Sequence, residues 1–294
     1  MSVPQLPTLM TEPLVRAALI EDLGRAGDIT TDAIVPDDAR AETALVARAR
    51  GLVAGLDLSL LAFKLVDPAI TATVLLRDGA CVASGDVIGT VSGPARGILT
   101  AERVALNFLC HLSGVATATA AVVQAVRGTH ARITCTRKTT PGLRAVQKYA
   151  VRVGGGANHR SDLASGVLIK DNHIALVGSV REAVRRARAN ASHVLRVVVE
   201  VDDLAQLDEA LEAGAEGVLL DNFQTRDMVE AVKRVRDRRA PVVIEASGGV
   251  TLDRIHEISK TGVDVVSIGS ITHSARAIDF SCQVRPVDSS RERE

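Results

Sequence analysis

From about residue 130 the chain repeats one rhythm: an apolar run, a turn, then a helix with a single apolar face. The runs are RITCT (132–136), GVLIK (166–170), VLRVVVEV (194–201), EGVLLD (216–221), PVVIE (241–245) and VDVVSIG (263–269). Between them, Val180, Ala183, Val184 and Ala187 form one helical face behind a capping box of Ser179 and Glu182. Leu204, Leu207 and Leu211 form a second that stops at Gly214. Met228, Val229, Val232 and Val235 make a third, and Leu252 with Ile255 a fourth after Thr251. Apolar strands alternating with such helices predict an α/β fold, a parallel sheet covered by helices. Lys170, Glu200, Asp221 and Glu245 each stand at or next to the C-terminal end of a run, where side chains of an α/β barrel converge on the active-site face. An open doubly wound sheet also binds ligands at strand ends, but more often shows a glycine-rich loop after its first strand. A barrel-like arrangement with six countable strands rather than eight is therefore expected.

The region from residue 42 to 100 reads differently. Short apolar runs are punctuated by Gly51, Gly55, Gly79, Gly85, Gly89, Gly93 and Gly97, which predicts strands and turns with a helix near Asp57 to Leu65. No obvious chemistry marks this half. Val104 to Val126 is long and apolar enough to cross a bilayer, yet Asn107, His111, Ser113, Thr117, Thr119 and Gln124 interrupt it. Buried helices broken near Ser113 and Gly114 are expected there. The N-terminus lacks the basic start and apolar run of a secretory signal. Four scattered cysteines without a CxxC pair suit a reducing, cytoplasmic setting and offer no disulfide or metal framework. The last residues, VDSSRERE, read as a solvated tail.

Charge is distributed unevenly. No Asp or Glu occurs from Arg103 to Ser161, although nine Lys or Arg residues do, while the whole chain balances 35 Lys+Arg against 35 Asp+Glu. A neutral chain argues against blanket binding to nucleic acid or anionic lipid, so the local positive charge fits a small anionic partner. Arg137 and Lys138 end the first strand, and His159 with Arg160 follow a GGG turn; guanidinium forks there match carboxylates and phosphates. Arg144, Lys148 and Arg152 recur at helical spacing and are either ligands or a solvated helical face. Tyr149 reads as packing, and His111 as an ordinary histidine.

Two late turns, ASGGVT (246–251) and IGSITHS (268–274), let backbone N–H groups approach phosphate oxygens, which makes Ser247, Gly248, Gly249, Gly269 and Ser270 candidate phosphate ligands. Glu200 and Asp221 supply the opposite charge. They suit magnesium coordination, ribose hydroxyls or a developing positive charge, with salt bridges to Lys138 or Lys170 as the alternative.

TRKTTPGLRAVQKYAVRVGGGANHR, LIKDNH, LLDNF, EASGG and IGSITHS closely resemble the quinolinate phosphoribosyltransferases, the nicotinate-nucleotide pyrophosphorylases (carboxylating). EDLGRAGDITT, ARGLVAGL and LTAERVALNFLCHLSGVAT extend the likeness over nearly the whole chain. The resemblance implies an N-terminal α/β sandwich-like domain over residues 1–115, to which 275–294 is a candidate to return, and an incomplete α/β barrel over 116–274. It implies condensation of quinolinate with phosphoribosyl pyrophosphate to nicotinate mononucleotide, pyrophosphate and CO2, in NAD biosynthesis, with Mg2+. It further implies a homodimer with shared active sites, and no nucleic-acid or membrane partner. By position, Arg103 resembles an arginine donated across the dimer, and Arg137, His159, Arg160 and Lys170 resemble the residues holding the quinolinate carboxylates. Lys138 and Lys170 fall near the phosphoribosyl donor; Glu200 and Asp221 near ribose and metal, directly or indirectly; and Ser247, Gly248, Gly249, Gly269, Ser270 and His273 in the phosphate turns. Glu200, Asp221, Lys138 and Lys170 are thus the expected catalytic set.

One departure stands out: many relatives read EVEV where this chain reads VVEV, so Val198 replaces a glutamate two residues before Glu200 and on the same face. Two rivals remain at this level. A related enzyme could use another acceptor or be a phosphate-binding lyase, against which the clustered Arg137, Arg160 and Lys170 argue. An RNA-binding module would add stacking aromatics, and the chain has 4 Phe, 1 Tyr and no Trp.

Overall fold

Strand pairing sorts the chain into two units, which the sequence enters and leaves more than once. The computed structural model describes residues 3–239 and 241–287, so 288–294 of the expected tail lie outside the described residues. In chain order the elements are α1 (Thr8–Leu23), α2 (Ile29–Ile34), β1 (Arg40–Ala47), β2 (Gly51–Leu52), α3 (Leu56–Val66), β3 (Thr71–Val74), β4 (Cys81–Val82) and β5 (Val87–Pro94). The long α4 (Ala95–Ala125), β6 (Arg132–Thr134), α5 (Arg144–Val153), β7 (Val167–Ile169), α6 (Asp171–Val177) and α7 (Val180–Asn190) follow. The chain continues through β8 (Val197–Val201), α8 (Leu204–Glu212), β9 (Gly217–Asp221), α9 (Thr225–Asp237), β10 (Val243–Ser247) and α10 (Leu252–Lys260), then β11 (Val265–Ser267), α11 (Ser270–His273) and β12 (Phe280–Pro286).

The first unit comprises the chain up to Ala118, Thr140–Gly154, and Ser274 onward. Its main sheet is antiparallel, in the order β12-β1-β5-β3. β12 pairs with β1 from Ala41 opposite Pro286 to Ala47 opposite Phe280, so strands more than 200 residues apart in sequence lie side by side. Leu45, Ile88, Val91 and, from α3, Phe63 are buried in the core.

The expected break in α4 does not occur: one helix runs unbroken through Ser113 and Gly114. Gly114 serves a different purpose. A Cβ there would overlap the Arg276 carbonyl oxygen, so the glycine lets a distant chain segment cross the helix. Ser113 and Thr117 are likewise used rather than solvated. The Ala54 N–H donates to Ser113 Oγ (3.0 Å) and the Leu52 N–H to Thr117 Oγ1 (2.8 Å). Leu109, Leu112, Val115 and Ala116 are fully buried, as befits a core helix. The boundary expected between residues 115 and 116 falls inside this helix.

α5 also differs from expectation. Residues 140–154 group with the first unit rather than with the barrel, because Tyr149 Oη donates to Asp78 Oδ2 (2.8 Å) and Gln147 reaches His111 (2.9 Å). Its basic side is no solvated face: Lys148 is buried, and Arg144 and Arg152 are half-buried.

The second unit, Thr119–Thr139 with Gly155–His273, holds the six expected strands in the order β6-β11-β10-β9-β8-β7. All the pairings are parallel, and β6 and β7 are the two edges, so the sheet does not close. Val199, Val201, Val218, Leu220, Ile244 and Val266 are completely buried, which explains why these strands read as apolar runs. Ser179 caps α7 by accepting the Glu182 N–H (3.2 Å), and Asp203 caps α8 by accepting the Gln206 N–H (2.8 Å). On α9 the buried face is Met228, Ala231 and Val235, while Val229 is exposed; on α10 it is Ile255 and Ile258, with Leu252 exposed. Each stripe is therefore one position narrower or rotated from the expected one.

Candidate active site

Register places the strand-end charges on one face. Glu200 lies opposite Leu219, and Leu219 opposite Glu245, so these three share a pleat row across β8, β9 and β10. Lys170 follows Ile169, the partner of Val199, and its ammonium forms a salt bridge with Glu200. One row further along, Asp221 lies opposite Ser247. One row back, Val198 lies opposite Gly217, where an added Cβ would sit 3.1 Å from Val198 Cγ2. The position that resembles a lost acid is thus filled by an isopropyl group packed on bare backbone.

The turn after β10 is built around Asn222. This residue has a φ of 54°, its N–H donates to the Ser247 carbonyl (2.9 Å), and its Nδ2 donates to Asp221 Oδ2 (2.8 Å). A Cβ on Gly248, itself at φ +83°, would overlap Asn222 Oδ1. Asn222 therefore aims Asp221 and shapes the ASGG turn, a task that sequence reasoning did not assign. A polar residue suited to left-handed backbone directly after a strand-end acid was the available signal.

Lys138, Gly269 and His273 come together at the other turn. A Cβ on Gly269 would lie 3.1 Å from Lys138 Cδ and 3.2 Å from the His273 ring, and Thr272 Oγ1 donates to the Lys138 carbonyl (2.8 Å). Lys138, Ser270 and His273 are exposed.

The third cluster forms where the chain after the GGG turn adds to the edge of β6. The Ala157 N–H donates to the Ile133 carbonyl (2.7 Å), which brings His159 and Arg160 beside that strand. Arg160 Nη1 donates to the Gly166 carbonyl (3.0 Å). Burial, and then the nearby positive charge of Arg137, lower the Arg160 pKa from the usual arginine value. Arg137 Nε and Arg160 Nε are both buried without a hydrogen-bond partner. Two like charges held together with unmet donors suit a multiply charged anion.

His159 and Glu245 join this cluster to the strand row. Nε2 of His159 lies 3.6 Å from Glu245 Oε2. Burial raises the Glu245 carboxyl above its usual range, the Ser267 hydroxyl opposes this, the Glu200 charge adds to it and Lys170 opposes it. Its Oε1 has no partner. Glu245 was expected at a strand end, but β10 continues to Ser247 and the acid sits in its middle.

Among the described residues no three His, Cys, Asp or Glu side chains group closely enough to cage a metal ion. Glu200 and Asp221 instead offer the one or two hard carboxylates that suit Mg2+ when substrate oxygens and water complete its shell. Arg103 stands exposed on α4, in the first unit.

A parallel α/β sheet whose strand ends gather paired guanidiniums, lysines, acids and two small-residue turns defines an enzyme acting on anionic, phosphorylated small molecules. The sequence matches the family models of the quinolinate phosphoribosyl transferase N-terminal domain over residues 28–113 and C-terminal domain over residues 115–283. The nicotinate-nucleotide pyrophosphorylase (carboxylating) of Mycobacterium leprae is 51% identical over 269 residues, 90% of this chain and 94% of that protein. A probable enzyme of the same name from Bacillus subtilis is 40% identical over 94% of each chain. The crystal structure of NadC from Streptococcus pyogenes superposes with a TM-score of 0.92 at 41% identity, covering 97% of this chain and all of that one. The chain belongs to the quinolinate phosphoribosyl transferase family.

Proposed function

We propose that this enzyme transfers the phosphoribosyl group of phosphoribosyl pyrophosphate to quinolinate with decarboxylation, giving nicotinate mononucleotide, pyrophosphate and CO2 in NAD biosynthesis. One observation carries the choice of acceptor. Arg137 and Arg160 hold adjacent guanidiniums with buried, unmet Nε–H groups, near His159. A dicarboxylate answers both forks at once; an acceptor with a single carboxylate leaves one of them desolvated and unpaired.

With the acceptor held there, the pyridine nitrogen donates its lone pair to ribose C1. The bond from C1 to the pyrophosphate oxygen breaks, and its electrons leave with pyrophosphate. Glu200 and Asp221 supply negative charge near the ribose as it becomes oxocarbenium-like. The quaternised ring nitrogen then stabilises the electron pair left when the adjacent carboxylate departs as CO2, and a proton fills that carbon. Lys138 and Lys170 lie close to the donor's phosphates in this reading, and the salt bridge of Lys170 to Glu200 orients the acid. Ser247, Gly248, Gly249, Gly269, Ser270 and His273 bind the 5-phosphate. Mg2+, held by Glu200 and Asp221 together with the pyrophosphate, would neutralise the leaving group.

The exposed Arg103 is assigned to the neighbouring subunit's site in a homodimer. Mixing Arg103→Ala with Arg137→Ala tests this, since a mixed dimer rebuilds one intact site. Two inactive variants should regain about a quarter of wild-type activity after free subunit exchange. No recovery would remove the shared site. The function itself is tested with purified protein, quinolinate, phosphoribosyl pyrophosphate and Mg2+. Nicotinate mononucleotide and CO2 should form in equal amounts, and nicotinate should not replace quinolinate. Turnover of nicotinate at a comparable rate would overturn the assignment.

A further inference from the structure

Glu245 takes no part in the reaction just described, yet the fold gives it an unfavourable place. Its side chain is 9% exposed in the middle of β10, and Oε1 makes no hydrogen bond of normal geometry, although the Ser267 hydroxyl is nearby. A buried acid without full partners is destabilising, and an apolar side chain of the same size would be tolerated better there. Groups of this kind persist where a site depends on them.

The geometry indicates what depends on it. The Arg160 backbone N–H donates to His159 Nδ1 at 2.8 Å. An imidazole whose Nδ1 accepts carries its hydrogen on Nε2, and Nε2 is the nitrogen that faces Glu245 Oε2 at 3.6 Å. The ring therefore lies between the Arg160 backbone, which donates to it, and the β10 carboxylate, which attracts its Nε2–H end across a gap too long for a hydrogen bond. The Arg160 side chain is tied in turn to the Gly166 carbonyl, beside Arg137. A ring free to rotate would release the Arg160 backbone and change the spacing of the two guanidiniums.

We infer that Glu245 is a positioning residue for the dicarboxylate acceptor: acting through the His159 ring, it fixes the backbone of Arg160 and so the spacing of the guanidinium pair. This rests on the reading of Arg137 and Arg160 as the acceptor site. Glu245 itself contacts no substrate. Its effect belongs to acceptor binding and not to the phosphoribosyl donor.

The test compares Glu245→Met with Glu245→Gln in steady-state kinetics, alongside thermal melts of each. Methionine keeps the volume but places no oxygen or charge opposite His159 Nε2. It should raise the KM for quinolinate about tenfold and leave the KM for phosphoribosyl pyrophosphate within twofold, with Tm unchanged or higher. Glutamine keeps a polar oxygen facing Nε2–H, so this variant should stay within about threefold of wild type. In a His159→Ala background, Glu245→Met should cost nothing further, because the ring that transmits its effect is gone. Should the methionine variant not fold, Glu245→Ala, which strains nothing, reads the same quantities. An unmoved quinolinate KM, equal loss for both substrates, a glutamine variant as impaired as methionine, or full additivity with His159→Ala would overturn the role. Wild-type protein in the same assay separates the two ideas. If it does not turn over quinolinate, the acceptor reading fails; if it does and the methionine variant matches it, only the role of Glu245 fails.

Discussion

Each unit gathers polar side chains around one place, and the two gatherings differ in whether their hydrogen bonds are met. In the first unit a cavity of about 590 Å³ is lined by Asp57, Asp78, Tyr149 and Lys64 together with Leu58, Phe63 and Ile70. There Asp78 accepts the Gly55 and Leu56 N–H groups and the Tyr149 hydroxyl, so its oxygens are occupied by the protein itself. In the second unit Arg137 Nε, Arg160 Nε and Glu245 Oε1 are buried and unmet. Satisfied polar clusters hold a fold together, whereas paired guanidiniums with unmet donors suit an anionic ligand. Topology explains the placement. In an antiparallel sheet strand ends of opposite sense alternate along each edge; a parallel sheet delivers every C-terminal end, with the residue after it, to one rim.

That contrast can be broken by substitution. Arg160→Ala should have the largest effect, lowering kcat/KM for quinolinate about a thousandfold, while loss of its hydrogen bond to the Gly166 carbonyl should cost the fold only about 1 kcal/mol. A large loss of stability instead would make this arginine structural. Glu200→Ala should come next, with kcat down about a hundredfold and the KM for quinolinate little altered; unchanged turnover would remove its role at the ribose. In the first unit, Gly114→Ala should leave the chemistry of correctly folded molecules intact but cost roughly 2 kcal/mol or more, since the methyl group meets the Arg276 carbonyl. Denaturant titration reads this directly, and a neutral result would mean that the two segments do not cross so closely.

The smallest expected effect is a pH dependence in the first unit. Burial lowers the pKa of His111 below 6.5, where its ring accepts a hydrogen bond from Gln147. As pH falls below 6.5 the unfolded chain takes up a proton that the folded ring refuses. The stability contribution is therefore fully present above pH 6.5 and declines as pH falls toward the lowered folded pKa. His111→Gln should flatten the slope of unfolding free energy against pH over that range, and an unchanged slope would show that the ring titrates normally.

Particular residues mark how far the sequence could be read. The six apolar runs matched the six parallel strands because strands covered on both faces stay apolar throughout, and the first charge after each run then identified Lys170, Glu200 and Asp221 at the rim. Helix caps at Ser179 and Asp203 obeyed equally local rules. Gly114 looked like a helix breaker because the sequence around it does not reveal Arg276. For α5 the sequence left ligands and a solvated basic face open, because nothing near Lys148 foretells its cover. Glu245 was read as an acid at a strand end; its place inside β10, its unmet oxygen and its line through His159 to Arg160 were not visible.

The order of elements, the charged rim and the family resemblance were thus determined by stretches of about ten residues, since periodicity, capping and strand-end chemistry act over that distance. Only the tertiary structure decided that β12 returns to β1, that α4 continues past Gly114, and that Ala157 extends the edge of β6 to bring His159 and Arg160 into place. Those outcomes depend on which distant segment arrives to meet a hydrogen bond or fill a space. No local pattern encodes that choice, because it is made by burial and pairing across the whole chain.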